Sequence, residues 1–237
     1  MGYDVSFHSI SPDEIQEWYF TPITWIQQGQ EEKVLALAAQ HGIENFYAEK
    51  YLDTLRVGAE TEPDELFDKS HGFYIAVVQG FFRDYYYTRG SSFSFLMEEK
   101  PEYARYFTPW AQVVPTALPN PAKNQIIENY CSGVYLSPNQ VLQILRDLEQ
   151  EPKVLEDLEK HWSDGQFAVL KKALTAAAEL GTGLLEATEV VEPNPLHPNE
   201  STCYSNLFHC DRDGVYLYID MAMKQIAQAM EQNKSDP

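Results

Sequence analysis

The chain has 237 residues, of which 17 are Lys or Arg and 36 are Asp or Glu, for a formal charge of −19. Hydrophobic residues make up 44%, which places it in the globular class, and its length lets it bury a sizeable core without disulfide or metal. The acidic balance argues against a DNA- or RNA-binding module and against anionic membrane surfaces, because both recruit Lys and Arg.

Three cysteines, Cys131, Cys203 and Cys210, form no secreted disulfide framework and fit a reducing cytosol. Met1–Val5 has neither a basic n-region nor an apolar h-region, so no signal peptide is expected. No apolar run approaches the ~18 residues of a membrane span.

Residues 3–8 alternate in polarity and read as a strand. Ser11-Pro12-Asp13-Glu14 is a helix start: Ser11 caps, Pro12 needs no donor, and the acids face the positive end of the dipole. This helix is expected to run to Trp18–Phe20, before Thr21-Pro22. Glu31–Gln40 and Asn45–Arg56 are amphipathic helices. Glu60–Glu65 reads as an acidic turn and Asp64–Asp68 as a helical turn. Ser70–Thr88 is the most apolar helix, covered on nearly every side and therefore central. Its far end, Arg83 to Tyr87, is expected to reach the surface.

Gly90–Asn124 holds five prolines among aromatic residues and reads as ordered but irregular, with helical turns near Pro101–Tyr106. Gly133–Leu136 reads as a strand. Ser137-Pro138-Asn139-Gln140 then opens a helix to Glu149, repeating the chemistry of Ser11–Glu14. Val154–Trp162 and Gln166–Leu180 are helices, the second closed by Gly181. Gly183–Val191 contains β-formers, although Leu184–Ala187 also tolerates helix. Pro193–Ser201 is a loop. Asp213–Gln232 is a closing helix with Tyr216, Ile219, Met223, Ile226, Ala227 and Met230 spaced for one face. Residues 233–237 read as a frayed tail. The sum is α+β: one globular domain over 1–237, mostly helical, with a few short strands around a central apolar helix.

The opening Met1-Gly-Tyr-Asp-Val-Ser-Phe-His, followed by Ser11-Pro12-Asp13-Glu14-Ile15, resembles the start of the bacterial YfbM-like proteins. Asp68-Lys69-Ser70-His71-Gly72 and Gly133-Val134-Tyr135-Leu136-Ser137-Pro138 are similar to later landmarks of that family. The quoted residues make up about a tenth of the chain. The resemblance implies a small cytoplasmic α+β protein. It carries no established activity and no site residues.

Several residues invite chemistry. His197, Cys203, His209, Cys210 and Asp211 supply zinc-binding atoms, but lack the paired short-spaced arms with which loops close on a metal. No metal or other cofactor is therefore expected. Cys131 leads into an apolar strand and reads as a buried structural thiol rather than a nucleophile. His71 stands at the mouth of the central helix, with Asp68 as a nearby partner. Arg83, Asp84, Tyr85, Tyr86, Tyr87 and Arg89 form an aromatic–basic stretch of the kind that dominates interface hot spots. Paired acids such as Glu98-Glu99 and Glu156-Asp157 read as solvated faces. There is no P-loop, no G-x-G-x-x-G, no H-E-x-x-H and no G-x-S-x-G.

The reading these residues favour is a non-catalytic, cytoplasmic protein-binding protein. An immunity-type protein that neutralises a basic partner is one form of it. Neither nucleic acid nor membrane is an expected partner, and the sequence does not fix the oligomeric state. The alternative is an enzyme or small-ligand protein with a pocket lined by His71, Asp84 and tyrosines, between the central helix and the Pro-rich segment.

Overall fold

Strand β1 (Asp4–Ile10) organises the molecule, because it is covered on both faces. This is seen in a computed structural model that describes residues 3–62, 65, 67–118 and 130–235, with side chains to residue 230. β1 pairs antiparallel with β2 (Tyr85–Arg89) on one side and with β4 (Gly183–Thr188) on the other. β3 (Tyr135–Leu136) extends the β4 edge antiparallel, and β7 (Cys210–Asp211) extends the β2 edge parallel. The order is β3-β4-β1-β2-β7. A separate ribbon joins β5 (Val191–Glu192) to β6 (Thr202–Cys203).

The first face of the sheet carries Ile10, Tyr135, Leu185 and Ala187. Over it lie α1 (Pro12–Ile15), α2 (Thr21–Gln27), α3 (Glu31–Gln40), α4 (Asn45–Ala59) and α5 (His71–Phe82). The capping box of α1 forms as its sequence predicts: Glu14 N–H donates to Ser11 Oγ at 3.2 Å, and Ser11 N–H donates to Glu14 at 2.8 Å. The helix does not stop at Phe20. A π-helical turn, Gln16–Phe20, carries it into α2, with the Thr21 N–H reaching back to the Gln16 carbonyl. Pro22, which has no N–H to continue the ladder, stands directly after that change of register.

Ten of the twelve residues of α5 are buried, so it is the central helix its composition predicts. It ends six residues early. Arg83 turns fully extended, and Tyr85–Arg89 joins β1 as a strand. Aromatic and β-branched side chains suit a pleated surface, and sheet pairing overrides the apolar helical pattern here.

The second face carries Val5, Phe7, Tyr86, Leu136 and Leu184. It is covered by α6 (Phe93–Glu99), α7 (Pro138–Gln150), α8 (Pro152–His161) and α9 (Gln166–Leu180). α6 lies inside the segment expected to be irregular. Ser92 Oγ caps it by accepting from the Phe95 N–H at 3.2 Å. Short 3-10 turns follow at Pro101–Tyr106, as expected, and at Trp110–Gln112. Ser137 opens α7 with a second capping box, its N–H donating to Gln140 at 2.8 Å. Gly181 closes α9 at φ 68°, a left-handed conformation that glycine adopts without strain.

α10 (Arg212–Ser235) begins against β2, where Gly214 sits so close to the Tyr87 carbonyl that only a hydrogen fits. Residues 119–124 of the Pro-rich stretch, residues 63, 64 and 66 of the two acidic turns, and residues 236 and 237 of the tail lie outside the described residues.

Candidate functional site

The aromatic–basic stretch is not a surface patch. Strand alternation turns Tyr85 and Tyr87 to one side of β2 and Tyr86 to the other, and all three are buried. The Tyr87 hydroxyl donates to Asp4 at 2.7 Å. Arg89 pairs with the same carboxylate and lies over the Tyr218 ring. Arg83 pairs with Glu14 and lies over Trp18. Both arginines thus have intramolecular partners.

Among the described residues, His71 and Asp84 do not come together around one pocket. His71 is buried at the start of α5, with Nδ1 2.9 Å from the Tyr19 hydroxyl. Asp84 lies beyond the other end of the helix, which is about 18 Å long at 1.5 Å per residue.

The zinc-like cluster is dispersed as well. Cys203 and Cys210 belong to the small core around Tyr85, where Cys203 Sγ is 3.4 Å from the Tyr85 hydroxyl. Burial pushes the Cys210 thiol up to about 12. His209 Nδ1 donates to the Gly80 carbonyl at 2.9 Å, and His197 sits exposed on its loop. Among the described residues, no group of three His, Cys, Asp or Glu side chains is placed to hold a metal ion. Cys131 is buried, as its sequence context predicts, and its thiol is also pushed up to about 12, by burial first and by Glu189 next.

Two polar constellations are sealed in the core. His8 on β1 places Nδ1 2.7 Å from Gln79 Oε1 and Nε2 2.8 Å from Ser6 Oγ. The Gln79 amide donates to the Asp84 carbonyl at 3.1 Å, which turns its oxygen toward His8. Nδ1 therefore carries the proton, and Nε2 accepts from Ser6. Burial lowers the His8 pKa to about 3, so the ring is neutral. The serine, histidine and amide resemble a catalytic relay in composition. All three are fully covered, however, and no substrate reaches them.

Glu186 on β4 is also fully buried. It accepts from the Phe93 N–H at 2.6 Å and from the Ser94 hydroxyl at 3.1 Å. Burial raises its pKa to about 7, against the lowering effect of these donors. Its place is to hold the start of α6 against the sheet.

Two accessible recesses lie on either side of Phe208, which is 80% exposed. On one side of it is a cleft of about 360 Å³ between the α3–α4 connection and the turn at 206–209. Tyr47, Phe81, Phe82 and Phe208 supply its aromatic walls, and Glu44, His41 and His209 its polar groups. On the other side is an apolar hollow of about 280 Å³ against α10, lined by Val191, Leu207, Val215, Tyr216 and Ile219. Phe208 borders both. The sequence reading did not single out Phe208, Glu44 or Tyr47. The available signal was an aromatic residue inside the polar run Ser205-Asn206-Leu207-Phe208-His209, where Asn206 Oδ1 accepts from the Phe208 N–H at 3.0 Å and fixes the turn.

No protein-family model matches this chain, and neither does any curated protein or solved structure. Among the described residues, no helix is long and apolar enough to cross a membrane.

Proposed function

We propose that the chain is a non-catalytic protein-binding protein whose partner presents a basic face. The observation that carries this is the exposed Phe208, standing between an aromatic–acidic cleft and an apolar hollow. Interface hot spots are aromatic anchors beside pockets that exclude water. The cleft suits a Lys or Arg side chain, because ring faces attract a cation and Glu44 adds the opposite charge. The −19 charge favours such a partner at longer range and speeds its approach. Neutralisation of a basic protein in the manner of an immunity protein is the form of the proposal that joins these features. The cytoplasm is the proposed compartment, since the three thiols are unpaired. Membership of the YfbM-like group is part of the same proposal.

The test captures partners on the immobilised protein at low and high salt, then reconstitutes the complex from purified components. The expected result is a basic protein that is released by salt, bound at least tenfold more weakly by Phe208→Ala and weakened by Glu44→Gln. A partner that binds both variants as well as the parent, or no partner at either salt, refutes the reading.

A further inference from the structure

The large apolar residues on the outer face of α10 are Tyr216, Ile219, Met223, Ile226 and Met230, at steps of 3, 4, 3 and 4, with the small Ala227 beside them. That is the a/d spacing of a helix meant to lie along another helix, narrower than the stripe of a helix lying on a body. Among the described residues, the body packs on the first turns, through Val215, Leu217 and Tyr218, and Ile219, Met221 and Ala222 are half-buried. Tyr216 is 56% exposed, Met223 50%, Ile226 36% and Met230 58%. Every residue from 223 to 230 is exposed.

From this seam we infer that α10 pairs antiparallel with the α10 of a second copy of the chain. Three observations choose this occupant. First, charge: Arg212 and Lys224 balance Asp213 and Asp220, so the helix is neutral through Met230 in a protein of net charge −19. A basic partner would be drawn to the acidic surface instead, whereas two copies meet here without like-charge repulsion. Second, self-complementarity: with Met223 opposite Ile226 of the other copy, Ile219 faces its Met230, and the flanking Ala222 faces its Ala229. A two-fold interface needs such a match between a patch and itself. Third, area: the exposed seam offers on the order of 400 Å² of apolar side chain per copy, about half of one side of a standard interface, and the helix flanks add the rest. The antiparallel sense follows from charge, because a parallel pair would press the two acidic bodies together at one end.

This inference goes beyond the proposed partner binding and does not depend on it. Sedimentation velocity at increasing protein concentration is expected to show a shift to twice the monomer mass. Met223→Glu with Ile226→Glu is expected to weaken dimerisation at least a hundredfold while leaving the thermal melt of the body unchanged, since both positions are exposed. Under mild oxidation, a mixture of Met223→Cys and Ile226→Cys proteins should form a covalent dimer more readily than either alone. A monomer at every concentration overturns the inference, as does a dimer that the double Glu variant leaves intact. Faster crosslinking of Met223→Cys by itself overturns the antiparallel sense. Capture by Phe208 and Glu44 is read in a separate experiment, so failure of either proposal is distinguishable from failure of the other.

Discussion

Glu186 makes the stability of this protein depend on pH in a direction opposite to that of most carboxylates. Its folded pKa, near 7, lies above the value of 4.5 that it has in the unfolded chain. Between those limits the folded state holds a proton that the unfolded state has released, so stability falls as pH rises, by about 1.4 kcal/mol per unit. Across the window the loss amounts to about 3 kcal/mol, and it levels off above pH 7. Glu186→Gln keeps the shape and mimics the neutral acid. The Ser94 hydroxyl can rotate to accept from the new amide, while the remaining oxygen still accepts from Phe93. The variant should match the parent at pH 5 within about 1 kcal/mol and exceed it at pH 8 by about 2–3 kcal/mol. Urea unfolding of both proteins, at half-unit steps from pH 5 to 8, isolates this one group by subtraction. A difference that stays flat, or that favours the parent increasingly as pH rises, would falsify the reasoning.

His8 supplies the counterweight. Its pKa falls from 6.5 to about 3 on folding, so the unfolded chain takes up the proton first, and the contribution of neutral His8 is lost as pH drops below about 6.5. Between about pH 4.5 and 6.5 the two slopes oppose each other, and the parent should show a shallower pH profile there than the Glu186→Gln protein, which should fall steeply toward acid. Gln79→Leu removes the acceptor for His8 Nδ1, leaving that buried N–H without a partner, and also the donor to the Asp84 carbonyl; urea midpoints should report a loss of about 1–3 kcal/mol. Gly214→Ala drives a methyl group into the Tyr87 carbonyl and should lift the start of α10 from β2, seen as faster amide exchange along residues 212–219. Phe208→Ala should leave the thermal midpoint within about 1 °C, because the ring has little folded-state contact to lose.

The fold was most legible where local chemistry decides. Ser11-Pro12-Asp13-Glu14 and Ser137-Pro138-Asn139-Gln140 announce helix starts because the capping atoms sit within four residues, and both boxes form. Gly181 ends α9 for an equally local reason. Legibility failed at Arg83. Nothing between Phe82 and Tyr85 breaks a helix by itself, and the chain leaves α5 because Tyr85–Arg89 finds β1, a partner about eighty residues away in sequence. Consequently Tyr85, Tyr86 and Tyr87, taken in sequence as a patch, are distributed over two cores. α6 was missed for the opposite reason. The Ser92 cap was present, but the surrounding prolines suggested irregularity, and it is the distant Glu186 that fastens the helix.

The functional surface was harder to read than the fold, because periodicity reports where apolar side chains point and not what covers them. The spacing of α10 was visible in the sequence and implied a buried face. In the structure the covered part ends before that face does: Ile219, Met221 and Ala222 are half-buried, and every residue from 223 to 230 is exposed. A regular apolar seam that is left uncovered requires a second surface of matching spacing, and the sequence places one such surface in every copy of the protein. The same reasoning distinguishes Phe208 from the seam, although Tyr216 and Ile219 line both the hollow beside Phe208 and the start of the seam. Phe208 belongs to no repeat and stands at a turn fixed by Asn206, with recesses of different polarity on either side. An isolated anchor between unlike recesses suits a partner unlike itself, whereas the α10 seam suits its own image.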